Sequence, residues 1–420
     1  AMRAIEAENK SLKNVLPKNY ASPDLDKRVL GDVVDLFTNM DMSDTKENKD
    51  LLGKTYQYCI QQFAAYEGVK GGEFYTPESI VKTIVAILKP YENCRVYDPC
   101  CGSGGMFVQS ADFIEAHRGN RGKISVYGQE SNADTWKMAK MNMAIRGIDA
   151  NFGPYQADTF FNDLHPTLKA DFIMANPPFN LKHWFTKDVT QQGVNWADYG
   201  TPPESNANYA WILHMLSKLK ADKGIAGFLL ANGALGDEDT VAIRQELIEN
   251  DKVEAIIVLP RELFYTTDIS VTLWILNQNK RGGMHHGRQL RDHRGEILFM
   301  DLRSWTENPV KGEQKKKVEL KADQVKRAAD IFFRWQSVGT NGATYAEPEL
   351  YRSVGFEELK TNNFSLVPSR YIEFVDRDNN IDYDKVLTET ASAVSELLSL
   401  QCENDVMLRN ALKQLGYECK

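Results

Sequence analysis

The sequence of 420 residues contains no run of about 18 consecutive apolar residues, so it offers no obvious membrane-spanning helix. Its first residues, AMRAIEAENK, are polar and lack the apolar stretch of a signal region. The six cysteines stand at positions 59, 94, 100, 101, 402 and 419, with neither zinc-ligand spacing nor the density of a disulfide framework. They read as reduced thiols, and the expected location is cytoplasmic. Two glycine signatures are also missing. No G-x-G-x-x-G occurs, and no Lys-Ser/Thr follows a glycine-rich loop, so a ligand carrying a pyrophosphate is disfavoured. Positive charge is in deficit, with a formal net charge of −8. Phosphate neutralisation supplies much of the affinity for a polyanion, so tight autonomous nucleic-acid binding is not expected of the bare chain. A local basic groove, or a partner that supplies the grip, stays open.

What is present is ordinary globular material, 42% hydrophobic and 26% charged, without internal repeats or low-complexity segments. The length suits one large domain with an appendage, or two to three domains. Apolar residues at helical spacing predict helices over Asp26–Thr38 and over residues 51–70. In GGEFYTPESIVKTIVAILKP, Thr76 is the expected N-cap, with Pro77 at the first helical position and a stop before Pro90. From Arg95 onward, strands and helices alternate. The expected strands are Arg95–Tyr97, Ile124–Tyr127, Phe172–Met174, Ile225–Leu230, Val253–Leu259 and Val271–Leu276. The expected helices are Gly105–His117, Ala133–Arg146, Tyr209–Lys220 and Val241–Asn250. That rhythm implies an α/β fold with a mostly parallel sheet. The last two strands are joined only by PRELFYTTDIS, which suggests an antiparallel pair at one edge. A further strand is expected at Glu296–Met300, and Lys315–Lys317 reads as a solvated loop. Residues 385–418 repeat apolar groups at helical intervals, suited either to their own domain or to a partner helix.

Three acidic positions follow strands. Asp98 ends the first, ahead of the turn Cys100-Cys101-Gly102-Ser103-Gly104-Gly105, where glycines permit positive φ and close approach of a ligand. Open α/β sheets bind ligands at this edge, and a carboxylate there suits an amine or another cationic centre. A tight strand-to-helix turn alone would need the same glycines. Glu130 ends the second strand, placed either to accept ribose hydroxyls or simply to face solvent. Asp158, in a polar turn, can accept from an adenine amino group or serve only its own loop.

Residues 175–180 read ANPPFN. Two prolines cannot continue a central strand, so the strand ending at Met174 must stop there. Asn, Asp or Ser followed by Pro-Pro-aromatic arises by composition at about 1 position in 30,000. The loop from Lys182 to Ala207 is long and aperiodic, and holds Trp184, Phe185, Trp196 and Tyr199. These either pack onto their own sheet or contact a ligand. His285, His286 and His293 lie among Gly and Arg and read as a polar loop, not a metal site.

Asp98–Gly105 followed by Asn176–Phe179 resembles the N6-adenine DNA methyltransferases that use S-adenosyl-L-methionine. GGEFYTPESI, VYDPCCGSGGMF, ADFIMANPPFN and VEAIIVLPRELFYTTDISVTLWIL resemble more narrowly the modification subunit (HsdM) of type I restriction-modification systems. The resemblance spans roughly residues 25–310. It implies a Rossmann-like S-adenosylmethionine-dependent methyltransferase with a mostly parallel sheet and an antiparallel edge strand, plus helical N- and C-terminal extensions. The expected division is a helical remnant at 1–50, the methyltransferase domain at 51–330, and a largely helical extension for subunit docking at 331–420. The family usually carries a longer helical N-terminal domain than residues 1–50.

The resemblance further implies that Glu73, Phe74, Tyr75, Thr76, Pro77 and Glu78 lie over the methionine part of the cofactor. Asp98, Gly102, Ser103, Gly104 and Gly105 would hold its amino group, Glu130 its ribose and Asp158 its adenine. Asn176, Pro177, Pro178 and Phe179 would hold the target adenine, with no metal. The implied partners are DNA, a specificity subunit (HsdS-like), a second copy of the modification subunit and a restriction subunit (HsdR-like), with no membrane. Asn-Pro-Pro-aromatic also occurs in methyltransferases acting on adenine in RNA or on glutamine amides in proteins, and an inactive cofactor-binding scaffold is a third reading.

Overall fold

The computed structural model describes residues 1–39, 46–67, 75–185, 198–264, 270–285, 287–305, 318–375 and 383–414. Glu73, Phe74, Trp196, His286, Lys315–Lys317 and Cys419 lie outside them. Two units separate, Ala1–Ile372 and Glu373–Lys420.

The first unit begins with α1 (Met2–Glu8), α2 (Lys27–Thr38), α3 (Lys46–Glu67) and α4 (Glu78–Leu88). There follow β1 (Arg95–Asp98), α5 (Gly105–Ala116), β2 (Ser125–Gly128), α6 (Ala133–Ile145), β3 (Ala150–Asn151) and β4 (Phe172–Ala175). Next come α7 (Asn208–Lys218), β5 (Ile225–Ala231), α8 (Val241–Glu249), β6 (Val253–Val258) and β7 (Val271–Asn277). The small hairpin β8 (Gly283–His285) and β9 (Arg288–Leu290) precedes β10 (Glu296–Asp301), α9 (Ala322–Trp335), β11 (Ala346–Glu347), β12 (Tyr351–Gly355) and α10 (Phe356–Thr361).

The main sheet runs β11-β12-β10-β6-β7-β5-β4-β1-β2-β3. β1 pairs in parallel with both β2 and β4. The chain therefore winds outward through β2 and β3 and returns on the other side of β1. This is the topological switch at which open sheets form a crevice beyond the carboxyl ends of their strands. β6 and β7 are antiparallel, as their short connection demands, but β7 is also antiparallel to β5 and sits inside the sheet. The antiparallel edge is made by β11 and β12. Burial explains β7's place. Every residue of β7 is buried, and a largely apolar strand such as VTLWILN cannot leave a flank to water.

The sheet carries the core on both faces. Val96, Phe172 and Met174 face a layer with α4, α5 and α9, while Tyr97, Ile173 and Ala175 face α7 and α8. Successive strand residues point to opposite faces, so one run supplies both layers. The domain boundary expected at 330 falls elsewhere. β12 extends the sheet by pairing with β10, so residues 346–355 complete the first unit, which runs to Ile372. Two covering strands after α9 lack the length and periodicity to announce themselves.

The second unit contains α11 (Tyr383–Gln414), one long helix with Leu387, Val394, Leu397, Leu398 and Leu408 exposed. No helix among the described residues is long and apolar enough to cross a membrane.

Candidate active site

β1 ends on Asp98, whose side chain is buried and accepts the Cys100 N–H at 2.9 Å. Burial above all, with the negative Glu130 nearby, pushes its carboxyl up to about 7. Beyond it the chain turns through Gly102 (φ +54°) and Gly104 (φ +83°) into α5. Only glycine holds these values without strain, and a Cβ on Gly104 would stand 3.0 Å from Met143 Cε. A Cβ on Gly105 would meet nothing within 4 Å, so this side of the turn is open. Glu130, after β2, accepts the Gly102 N–H at 3.0 Å and the Asn132 N–H at 2.8 Å. It thereby fastens the second strand to the glycine turn.

β4 delivers Asn176. Its Nδ2 donates to Thr76 Oγ1 at 3.0 Å, and its Oδ1 is buried with no hydrogen-bond partner in the structure. Pro177 is buried, Pro178 exposed and Phe179 half-buried, with Phe264 edge-on at 5.9 Å between ring centroids. Asn180 follows in the left-handed region (φ +53°) and is held by Asn206 and Asn208 at the start of α7.

One cavity gathers Tyr75, Thr76, Glu78, Asp98, Gly102, Ser103, Gly105 and Asn176. Pro77, Gly104, Glu130, Asp158, Pro177, Pro178 and Phe179 do not line it, although Glu130 reaches its rim through Gly102. Asp158 spends Oδ1 on its own turn, accepting from Phe160 N–H at 2.8 Å and Phe161 N–H at 3.3 Å. That turn is tied back to β2 by the buried Gln129, whose amide bonds Ala157 O, Asn162 O and the Leu164 N–H.

Thr76 is not the N-cap of α4. Pro77 occupies that position without a side-chain cap, and the Thr76 hydroxyl turns to Asn176 instead. One further expectation changes. His293 is 1% exposed and donates from Nε2 to the buried Glu254 at 2.9 Å, so it is a core residue and not part of a polar loop. Trp184, 1% exposed, packs on Phe160.

Several lining residues carry no local sequence signal. Gln57 and Ile60 reach the cavity from α3. Asn142 donates to Ser103 O at 2.8 Å and accepts from Arg146 Nε at 3.1 Å. Arg146 Nη2 then bonds Gly53 O and Gln57 Oε1 at 2.8 and 3.0 Å. The spacing of Asn142 and Arg146, one turn apart on α6, was the one available hint.

The acceptor groups suit a small cationic ligand that donates hydrogen bonds: a buried carboxylate, a glycine cradle open on one side, and an unpartnered amide oxygen beside it. Order β3-β2-β1-β4-β5-β7-β6 with β7 reversed gives a Rossmann-like α/β fold, shared with a Listeria monocytogenes protein assigned to the class I S-adenosylmethionine-dependent methyltransferases at a TM-score of 0.52 and 16% identity, covering 72% of this chain and 86% of that one. The chain belongs to the N-6 DNA methylase family, whose model matches residues 47–380.

It is 38% identical to the type I restriction enzyme HindI methylase subunit of Haemophilus influenzae, over all of this chain and 92% of that protein. It is 31% identical to the MjaIX methylase subunit of Methanocaldococcus jannaschii, over 96% of this chain and 69% of that one. Among solved structures, the type I methyltransferase subunit from Streptococcus thermophilus superposes with a TM-score of 0.72 at 23% identity, covering 89% of this chain and 75% of that one. The chain is thus an adenine-specific DNA methyltransferase of the type I methylase-subunit kind, and RNA or protein acceptors are not favoured.

Proposed function

We propose that this chain transfers a methyl group from S-adenosyl-L-methionine to N6 of adenine in DNA, as the modification subunit of a type I complex. The observation that carries the residue assignment is the buried, unpartnered Oδ1 of Asn176 at the end of β4. A buried acceptor without a partner costs about 1–3 kcal/mol, a cost offset when a ligand donates to it. An exocyclic N6–H is such a donor.

The N6 lone pair of adenine is delocalised into the ring and is a weak nucleophile. Asn176 Oδ1 and the Pro177 carbonyl would accept its two hydrogens and draw nitrogen toward tetrahedral geometry, localising the pair. The prolines hold that carbonyl in place before the base arrives, so little reorganisation is left for the reaction. Phe179, with Phe264 at its edge, offers a face for the base, which must leave the duplex to enter. When bound, the cofactor supplies an electrophilic sulfonium methyl. Asp98 would pair with its ammonium group, and Gly102–Gly105 would admit it closely. Glu130 would bind the ribose and Asp158 the adenine. Tyr75, Thr76, Pro77 and Glu78, with Glu73 and Phe74, would cover the methionine end. After transfer, the extra proton on N6 leaves to solvent.

Sequence recognition is assigned to a separate specificity subunit, with a second copy of this chain and a restriction subunit in the full assembly. The net charge of −8 supports dependence on such a partner for DNA binding. The exposed apolar residues of α11 suit a helical docking surface. The test is transfer of labelled methyl to unmethylated DNA, with and without the specificity subunit, alongside Asn176→Ala. Label on adenine N6 only with the partner, lost in Asn176→Ala, is the expected result. Label appearing without the partner would overturn the dependence, and full activity of Asn176→Ala would overturn the assignment.

A further inference from the structure

We propose that Thr76 is a positioning residue for methyl transfer, anchoring the Asn176 amide beside the target base; this rests on the role given to Asn176 above. An asparagine amide has two ends of nearly equal shape and opposite hydrogen-bonding sense. With Oδ1 forward, the side chain accepts from an amino group. Rotated by half a turn, it presents N–H donors to N6–H donors and repels the base. A neighbouring hydroxyl can accept from Nδ2 or donate to Oδ1, so it fixes where the amide stands, while the N6–H donors of the base select the sense with Oδ1 forward.

Thr76 supplies that hydroxyl. Its Oγ1 accepts from Asn176 Nδ2 at 3.0 Å, joining residues 100 apart in sequence, while Oδ1 remains without a partner. Both residues line the same cavity. Thr76 is also presented on a stiff mount. Pro77, with φ −54°, follows it directly and caps α4, and α4 is anchored by the buried Ile80, Val81, Ile84 and Val85. The Asn176 end is equally fixed, since β4 is buried along its whole length. A hydroxyl freed from the usual capping duty at a helix start is thus spent on holding one amide in place.

The test compares Thr76→Val, Thr76→Ser and Asn176→Ala in the assembly that methylates DNA, measuring kcat and, by calorimetry, the Kd for S-adenosylhomocysteine. Valine keeps the shape and removes the acceptor, whereas serine keeps the acceptor. Thr76→Val is expected to lower kcat about 10- to 100-fold, the loss typical of a slightly misaligned reacting group, with Kd changed less than about threefold. Thr76→Ser should stay within about threefold of the parent in kcat. Adding Thr76→Val to Asn176→Ala should cause no further loss, because the amide it anchors is gone. Unchanged kcat in Thr76→Val, a weakened Kd as its only effect, or failure of Thr76→Ser to preserve kcat would each overturn the proposal. If Asn176→Ala is inactive while Thr76→Val is fully active, only this inference falls. If Asn176→Ala is itself fully active, the role of Asn176 falls and the inference falls with it.

Discussion

Asn208 donates from Nδ2 to Asn180 Oδ1 at 3.0 Å and accepts the Asn180 backbone N–H on its own Oδ1 at 3.2 Å. A reciprocal pair of bonds therefore fastens the end of the Asn-Pro-Pro-Phe loop to the first turn of α7. The loop needs such a clamp because Asn180 has φ +53°, a conformation that costs free energy for any residue with a Cβ.

Replacing Asn208 by Leu removes both bonds from a site that is 4% exposed. The expected loss of stability is about 1–3 kcal/mol, since the Asn180 N–H loses its partner and its Oδ1 keeps only Asn206. Urea unfolding midpoints will measure it. Methyl transfer should fall more steeply than stability alone requires, because the pocket carbonyl loses its fixed aim.

Asn176→Ala should lower kcat by about 10²–10³, the usual cost of deleting one acceptor or donor aimed at a developing charge. Cofactor affinity should stay within about threefold. Single-turnover transfer and calorimetry separate the two, and an equal loss in both would mean that Asn176 serves the cofactor and not the base.

Asp98 links cofactor binding to pH. Its carboxyl, raised from 3.8 to about 7 by burial and by Glu130, is protonated in the folded chain at pH values where the unfolded chain has already lost the proton. Its contribution to stability is therefore full below 3.8 and declines as pH rises toward about 7. A bound ammonium group reverses the preference by favouring the carboxylate. Cofactor affinity should fall as pH drops below about 7, by about tenfold per pH unit at most, and binding there should release about one proton from Asp98 to the buffer. Asp98→Asn should bind weakly and without this slope. Calorimetry in buffers of different ionisation enthalpy is the measurement.

Far from the cavity, the buried Glu254 accepts from His293, Gln336 and Asn277. His293 Nδ1 faces Arg291 O, so both ring nitrogens meet acceptors, an arrangement that favours the imidazolium. Burial opposes charge on Glu254, but His293 and Lys280 outweigh it and bring the carboxyl down to about 2. Burial likewise opposes charge on His293, and Glu254 overcomes it, raising the imidazole above 6.5. The Glu254 contribution is present above 4.5 and lost as pH falls toward about 2. The His293 contribution is full below 6.5 and lost as pH rises through the raised value. His293→Ala should cost about 3–5 kcal/mol near pH 6, because it strands a buried charge. Thermal unfolding across pH will show whether the loss is largest between these limits.

Much of this was legible in the chain itself. Alternating strands and helices from Arg95 onward announced the α/β layers, because side-chain periodicity is a local property. Asp98, the glycine turn and Asn176-Pro177-Pro178-Phe179 stood out because their backbone demands, positive φ and missing donors, are written in residue type. The interior place of β7 was not legible, since a strand records its own burial but not its neighbours. Residues 346–355 carried too few alternations to reveal that they close the sheet, and His293 looked polar because its partner Glu254 lies 39 residues away.

The sequence by itself determined the class of site: which strand ends carry carboxylates, where glycine opens the turn, and where prolines stop a strand. Tertiary structure alone decided which of these groups meet. Gln57, Asn142, Arg146 and Phe264 join the site from three separate segments, and Thr76 meets Asn176 across 100 residues. The reason is the range of the forces involved. Torsional preference and periodicity act over a few residues, whereas a hydrogen bond between distant side chains exists only after the sheet has packed and brought its ends together.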